Sequence, residues 1–265
     1  MPQSARSLRF SPPRALLALL GAGLVLFIVG PLLRLLVQAS PASLREALGD
    51  AELRGSILLT VFCATAATLL ATLLGLPLSH LLARKRFPGR RLVQGLVDLP
   101  VVIPHPVAGI ALLLFLGRQS PVGGVLASLG LEVVNHVPGI IAGMLFVSAP
   151  ILVSGAREAF AAVDPRLERV ARSLGDTPWQ AFRRVTLPLA RRGVIAASIL
   201  AWARSVSEFG AIVILTYNPK VASILIFDRF TGYGLNAAVP AAIILLLVAL
   251  AVFALVRLIE PAERA

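Results

Sequence analysis

Apolar residues run in long blocks along this chain instead of alternating, and the polar residues gather between the blocks. Six stretches approach the roughly 20 residues needed to cross a ~30 Å hydrocarbon core. They fall at 15–33, 55–83, 99–116, 137–156, 193–216 and 235–256. A backbone without water must satisfy its own amides, so each block predicts a helix and not an open sheet. The predicted fold class is all-α: a polytopic membrane protein with six transmembrane helices.

The exception is segment 157–192, which is polar enough to leave the bilayer and predicts two short helices with a break between them. Asp164-Pro165 supplies an N-cap and a proline at the first helical position, and Gly175 closes the pattern. Leu167, Val170, Ala171 and Leu174 recur at i, i+3, i+4 and i+7, one apolar stripe, while Arg166, Arg169 and Arg172 point elsewhere. Thr177-Pro178 starts the second helix, which carries Trp179 and Phe182, and Pro188 ends it. A stripe held outside the bilayer lies on the protein's own helix ends, on the lipid surface, or in a groove of a separate cytoplasmic partner.

Composition sharpens the class. Of 265 residues, 57% are hydrophobic and 14% charged, with a mean hydropathy of +0.87, which excludes a disordered chain and a water-soluble globule. The 25 Lys and Arg, 23 of them Arg, against 13 Asp and Glu give a formal charge of +12. Three fall in the N-terminal tail, five in 84–92, eight in 157–192 and two in the C-terminal tail, whereas the alternate segments hold two, one and two. The positive-inside tendency then makes both termini cytoplasmic. The expected organisation is a tail at 1–14, a transmembrane domain at 15–256 that includes the cytoplasmic loop 157–192, and a tail at 257–265. Arginines scattered over short loops form no single basic face with interleaved aromatics, so nucleic acid is excluded as a partner. The first span follows Arg6, Arg9 and Arg14 like a secretory signal, but its nineteen-residue apolar core is longer than the usual h-region of about 7–15, which favours a retained anchor. Cys63 lies within an apolar run and reads as a small buried hydrophobe.

Glu168-Arg-Val-Ala-Arg-Ser-Leu-Gly175, nine residues, then Val185-Thr186-Leu187-Pro188 resembles the EAA loop of ABC importer permeases, which docks into the ATPase subunit. The family pattern is E-A-A, three residues, G, nine residues, I-x-L-P. Gly175, Leu187 and Pro188 fall in register, with Val185 for Ile; at the front Arg169-Val170-Ala171 replaces E-A-A and Glu168 stands one place early. The resemblance assigns ATPase coupling to Leu167, Glu168, Val170, Ala171, Leu174, Gly175, Trp179, Leu187 and Pro188. Lysine occurs only at 85 and 220, and neither sits in a G-x-x-x-x-G-K-[ST] loop able to cradle ATP. ATP and magnesium are therefore expected on a partner, with no cofactor, metal site or catalytic residue on this chain.

Ionisable groups at membrane depth cost about 2.5–3.5 kcal/mol on insertion scales, which makes them functional candidates. Arg204 and Glu208, four residues apart on the fifth predicted span, share a face; they neutralise one another, or with Ser205 and Ser207 they line the translocation path. On the third span, Pro100, Pro104, His105 and Pro106 crowd together. Prolines remove donors and bend helices, so this segment suggests a pore wall or gate. His105 reads either as a hydrogen-bonded structural histidine or as a titrating one. The path or gate candidates are thus Pro104, His105, Pro106, Arg204, Ser207 and Glu208.

Two of these segments, Ala203-Arg-Ser-Val-Ser-Glu-Phe-Gly-Ala-Ile-Val213 and Leu99-Pro to Ala108-Gly109, resemble permeases for molybdate and tungstate and, less closely, for sulfate. The resemblance implies a type I importer permease in a bacterial or archaeal inner membrane. It further implies a homodimer, two ABC ATPase subunits, an extracytoplasmic oxyanion-binding protein, and a pathway at the dimer interface. Sulfate or another oxyanion is the alternative cargo. A secondary transporter driven by an ion gradient is the alternative class, although no inverted repeat is evident. An intramembrane enzyme is disfavoured by the absence of H-E-x-x-H, G-x-S-x-G and clustered carboxylates. Segment 217–234, with Val221, Ile224, Leu225 and Phe227, reads as a short interfacial helix with a core or lipid-facing role, or as a contact for the binding protein.

Overall fold

The computed structural model describes residues 14–259, with side chains described over 16–254. Residues 1–13 and 260–265, most of both expected tails, lie outside the described residues.

The chain is built from helices: α1 (Arg14–Leu36), α2 (Pro41–Gly49), α3 (Ala51–Arg84), α4 (Arg90–Val102), α5 (His105–Leu116), α6 (Pro121–Ser128) and α7 (Val137–Ala162). There follow α8 (Pro165–Ser173), α9 (Pro178–Ala181), a π-helical turn (Phe182–Thr186), α10 (Leu187–Val206), α11 (Ile212–Leu215), α12 (Ala222–Tyr233) and α13 (Leu235–Ile259). Five helical runs among the described residues are long and apolar enough to cross a membrane, or six if the α4–α5 pair is one span. The protein is a multi-pass, all-helical membrane protein, as the hydropathy blocks predict.

Two predicted spans need correction. The third, 99–116, is not one helix: α4 starts at Arg90, and α4 and α5 meet at a 115° bend. Pro104 and Pro106 lack the amides that would carry α4 onward, and the α4 cap at Ile103 is extended (φ −74°, ψ 132°). The fifth, 193–216, is displaced: helix runs through Pro178–Val206, 29 residues, then breaks before α11. Glu208 therefore lies beyond the helix that carries Arg204, and not within it.

Helices α3, α7 and α10 form the centre. Their contact faces carry small residues, so backbones approach closely, which is how helices gain packing when lipid offers no hydrophobic contrast. A Cβ on Gly155 would stand 2.7 Å from the Ala197 Cβ, and one on Gly193 would stand 2.6 Å from the Ala159 Cβ. Buried Thr60, Thr68 and Ser79 donate to carbonyls four residues back, at 2.7, 2.8 and 2.7 Å, so their hydroxyls need no water. Ser79 also donates to the Val153 carbonyl of α7 at 3.0 Å, and the Trp202 indole of α10 to Thr65 Oγ1 of α3 at 3.2 Å.

Segment 217–234 is a core element on one side. Val221, Ile224 and Leu225 of α12 and the preceding turn are buried against α3 and α13, while Phe227, Phe230 and Tyr233 are exposed. The Ala222 amide donates to Thr60 Oγ1 at 2.9 Å, and Arg229 pairs with Asp50, the N-cap of α3.

Candidate functional site

Loop 157–192 folds as its caps dictate. Asp164 accepts from the Arg166 amide at 2.8 Å to start α8. Gly175, at φ +101°, ends it: its amide bonds the Arg172 carbonyl and the Asp176 amide bonds the Ala171 carbonyl, both at 3.1 Å. That is a Schellman closure, whose left-handed residue favours glycine. Thr177 and Gln180 then form a reciprocal capping box at 2.7 and 3.3 Å.

The stripe is uncovered. Leu167, Val170, Leu174 and Trp179 are 45%, 58%, 84% and 66% exposed, Ala171 is half-buried, and α8 buries no residue. The protein's own helix ends therefore do not cover it. What holds the loop is its polar side. Glu168 accepts from the Arg84 Nε at 2.8 Å and from the Thr186 hydroxyl, joining α8 to the end of α3 and to the π-helical turn. Trp179 stacks on Phe182 (5.5 Å, 28°), and Phe182 packs on His80 and Phe160 at 4.6 and 5.7 Å. Leu187 packs half-buried against the Phe160 cluster, and exposed Pro188, expected to end the second helix, instead sits in the first turn of α10, which carries that helix on to Val206. Glu168, placed in the stripe's company by sequence, thus points inward, and Arg84, Thr186, His80 and Phe160 complete the tether. Sequence reading missed those four because nothing local marks a contact between residues 84 positions apart.

The second cluster forms where the two interrupted spans meet, roughly 25 Å along α10 from Leu187 at 1.5 Å per residue. The α10–α11 break lies against the α4–α5 break: a Cβ on Gly210 would stand 2.7 Å from the His105 Cβ, and one on Gly109 would stand 2.7 Å from the Ala211 carbonyl oxygen. Glu208, 1% exposed, receives the Arg204 guanidinium at 2.8 Å and the Ala211 amide at 2.7 Å, while its own carbonyl accepts from Ser223 at 2.9 Å. Arg204 also donates to His105 Nε2 and, at 3.3 Å, to Ser207. An arginine cannot accept, so Nε2 is the acceptor in this contact. His105 Nε2 stands 4.0 Å from the Glu208 carboxylate. The two proline neighbours differ: Pro104 caps α5 and Pro106 sits in its first turn.

The structure therefore brings Arg204, Glu208, Ser207 and His105 into one contact set and leaves the loop residues as a separate set at the arginine-rich end. Among the described residues no group of three His, Cys, Asp or Glu could hold a metal ion.

Interrupted apolar spans joined by a paired charge cluster, with an amphipathic elbow left bare at the arginine-rich end, make this a helical, multi-pass membrane protein with an exposed apolar stripe outside its spans. The comparisons refine that class. The chain belongs to the family of binding-protein-dependent transport system inner membrane components, whose model matches residues 71–265. It is a multi-pass cell-membrane permease of the ABC importer type. It is 42% identical over 244 residues to the molybdate/tungstate transport system permease protein WtpB of Thermococcus kodakarensis, covering 91% of this chain and 94% of that one. The corresponding protein of Pyrococcus furiosus is 43% identical over 240 residues, covering 90% and 91%. The sulfate transport system permease protein CysW of Synechocystis is 33% identical over 219 residues, covering 81% and 79%. In fold, a bacterial alginate ABC transporter chain superposes with a TM-score of 0.72 at 19% identity, covering 92% of this chain and 91% of that one.

Proposed function

We propose that this chain is the membrane subunit through which an ATP-driven importer moves molybdate or tungstate inward. Identity carries the choice of cargo: it reaches 43% with a molybdate/tungstate permease and 33% with a sulfate permease, over a shorter stretch. The arginine-rich end is read as cytoplasmic, by charge bias. Two copies of the chain are expected to enclose the path, with two ATPase subunits below and an oxyanion-binding protein outside. ATP hydrolysis, with its magnesium, is assigned to the ATPase subunits, and this chain is assigned no catalytic residue and no cofactor.

The uncovered stripe of α8 and Trp179 fits a groove of the ATPase subunit. Trp179, the π-helical turn and α10 are one continuous helical run that carries Arg204 in its last turn and ends at Val206. Displacement of the elbow would thus reach the junction of the two broken spans without an intervening loop. There, Arg204, His105 and Glu208 act as a pinned hinge or gate. Arg204 is not read as the anion ligand, because its charge is met by Glu208, with further bonds to His105 and Ser207, and a tight cationic site in the path would slow release.

Uptake of labelled molybdate and tungstate by cells carrying the whole transporter tests the reading. Gly175→Asp, which strains the φ +101° turn and adds a charge at the helix stop, is expected to abolish uptake and ATPase copurification. Sulfate uptake exceeding both metal oxyanions would transfer the assignment to the sulfate class.

A further inference from the structure

At the arginine-rich end a cavity of about 680 Å³ is lined by Arg86, Arg90, Arg91 and Arg157, with Phe87 and Gln94. Arg86, Arg90 and Arg91 have no carboxylate partner among the described residues, and Arg157 has only exposed Glu158 at 3.8 Å. Asp98, the next acid along α4, is occupied by Gln94 at 2.9 Å and by Ser154 at 3.3 Å. The Gln94 amide oxygen is buried without a partner. Four guanidiniums around one cavity give it a positive potential that favours an anion among them.

A separate apolar groove of about 430 Å³ lies between α3, α4, α5 and α7, lined by Leu74, Leu78, Leu96, Ala149 and Val153 among others. The two are stacked along the same helices. Arg157 follows Val153 by one turn of α7, and Val97, also in the groove wall, follows Gln94 by three residues on the same face of α4. Leu74 and Leu96 are 64% and 55% exposed, so the groove opens sideways to the surroundings of the bundle.

We infer that this is a site for an anionic phospholipid, its phosphate among the four arginines and an acyl chain in the groove. A free oxyanion would satisfy the cavity and leave the groove unexplained. A lipid of the inner leaflet matches both halves, and juxtamembrane arginines each add attraction toward such headgroups. Bound there, it would brace the α3–α4 connection against the end of α7, beside the elbow.

The test is native mass spectrometry of the purified transporter titrated with dioleoylphosphatidylglycerol, dioleoylphosphatidylcholine, dihexanoylphosphatidylglycerol and inorganic phosphate. The expected result is preferential retention of dioleoylphosphatidylglycerol, falling about tenfold in Arg90→Gln/Arg91→Gln at an unchanged melting temperature. Leu74→Gln/Leu96→Gln, on exposed positions that tolerate polarity, should weaken the dioleoyl lipid and spare the dihexanoyl one. Equal retention of phosphatidylcholine, or arginine variants with undiminished binding, would overturn the inference. Competition by inorganic phosphate as strong as by the dioleoyl lipid would make this a free-anion site. Groove variants that change the oligomeric mass while lipid retention stays constant would give the face to a second copy of the chain.

Discussion

Glu168 and Glu208 are the same chemical device used at two depths. Each carboxylate ties an arginine and one further donor, long-range at Glu168 and within the same turn at Glu208, and each sits where the backbone changes course. They differ in what surrounds them. The Glu168 side chain is 20% exposed at the foot of a loop, and that of Glu208 is fully buried between two helix breaks. The surviving arginines do not separate the two, since Arg84 is 8% exposed and Arg204 22%; what separates them is the second donor, a buried backbone amide at Glu208 and a hydroxyl free to rotate at Glu168. The difference teaches that the junction is expected to lose more than the loop when its carboxylate is removed.

The largest expected effect comes from breaking the junction. Glu208→Ala, which strands Arg204 and the Ala211 amide, should cost about 3–5 kcal/mol, read as a fall in thermal stability in detergent. Combining it with Arg204→Gln should return part of that loss. A destabilisation equal to that of Glu168→Ala would erase the contrast.

Next comes the tether. Glu168→Ala leaves Arg84, whose side chain is 8% exposed, without its carboxylate, and should cost about 1–3 kcal/mol. Limited proteolysis should show the loss confined to 157–192, with the α3–α7–α10 bundle intact; cleavage throughout the spans would mean that the tether holds the whole fold.

Leu174→Glu, on the loop's outer face at 84% exposure, should move stability by no more than about 0.5 kcal/mol. Copurification with the ATPase should nonetheless drop sharply. Retained binding would place the docking face elsewhere.

The smallest effect is on pH dependence at the opposite end, where Lys220 meets Asp228 at 2.6 Å and Tyr217 donates to it at 2.7 Å. Partial burial pushes the Asp228 carboxyl up, but the Lys220 and Tyr217 bonds outweigh it and hold it below the ordinary 3.8. Its contribution is present above that value and is lost as the pH falls through the lowered one. Lys220, bonded to Asp228, is raised above 10.5, so its share is present below 10.5 and lost as pH rises through the raised value. Melting temperature should show no change from these groups between about pH 5 and 9. A Lys220→Met variant with an unaltered acid limb would remove Asp228 from the account.

Legibility tracked the range of each interaction. The α8 stripe was readable because its spacing is the helix period, and the Arg204–Glu208 pair because four residues make one turn. The prolines at 104 and 106 announced an interruption, yet its 115° angle depends on α11 lying against Gly109, which no local pattern encodes. The fifth span was misplaced because apolar residues continue through 209–215 even though the helix stops at Val206. Hydropathy registers apolarity and is blind to a break.

By itself the sequence determined that this chain lives in a membrane as helices, which of its loops are basic, and that one loop carries a greasy face. These follow from the cost of exposing amides to hydrocarbon and from charge bias, both properties of segments. Only the tertiary structure decided that this face stays bare, that Glu168 turns inward to Arg84, and that His105 joins a pair 99 residues away. Such outcomes depend on how small residues let particular helices approach, a matter of geometry between segments and not within them.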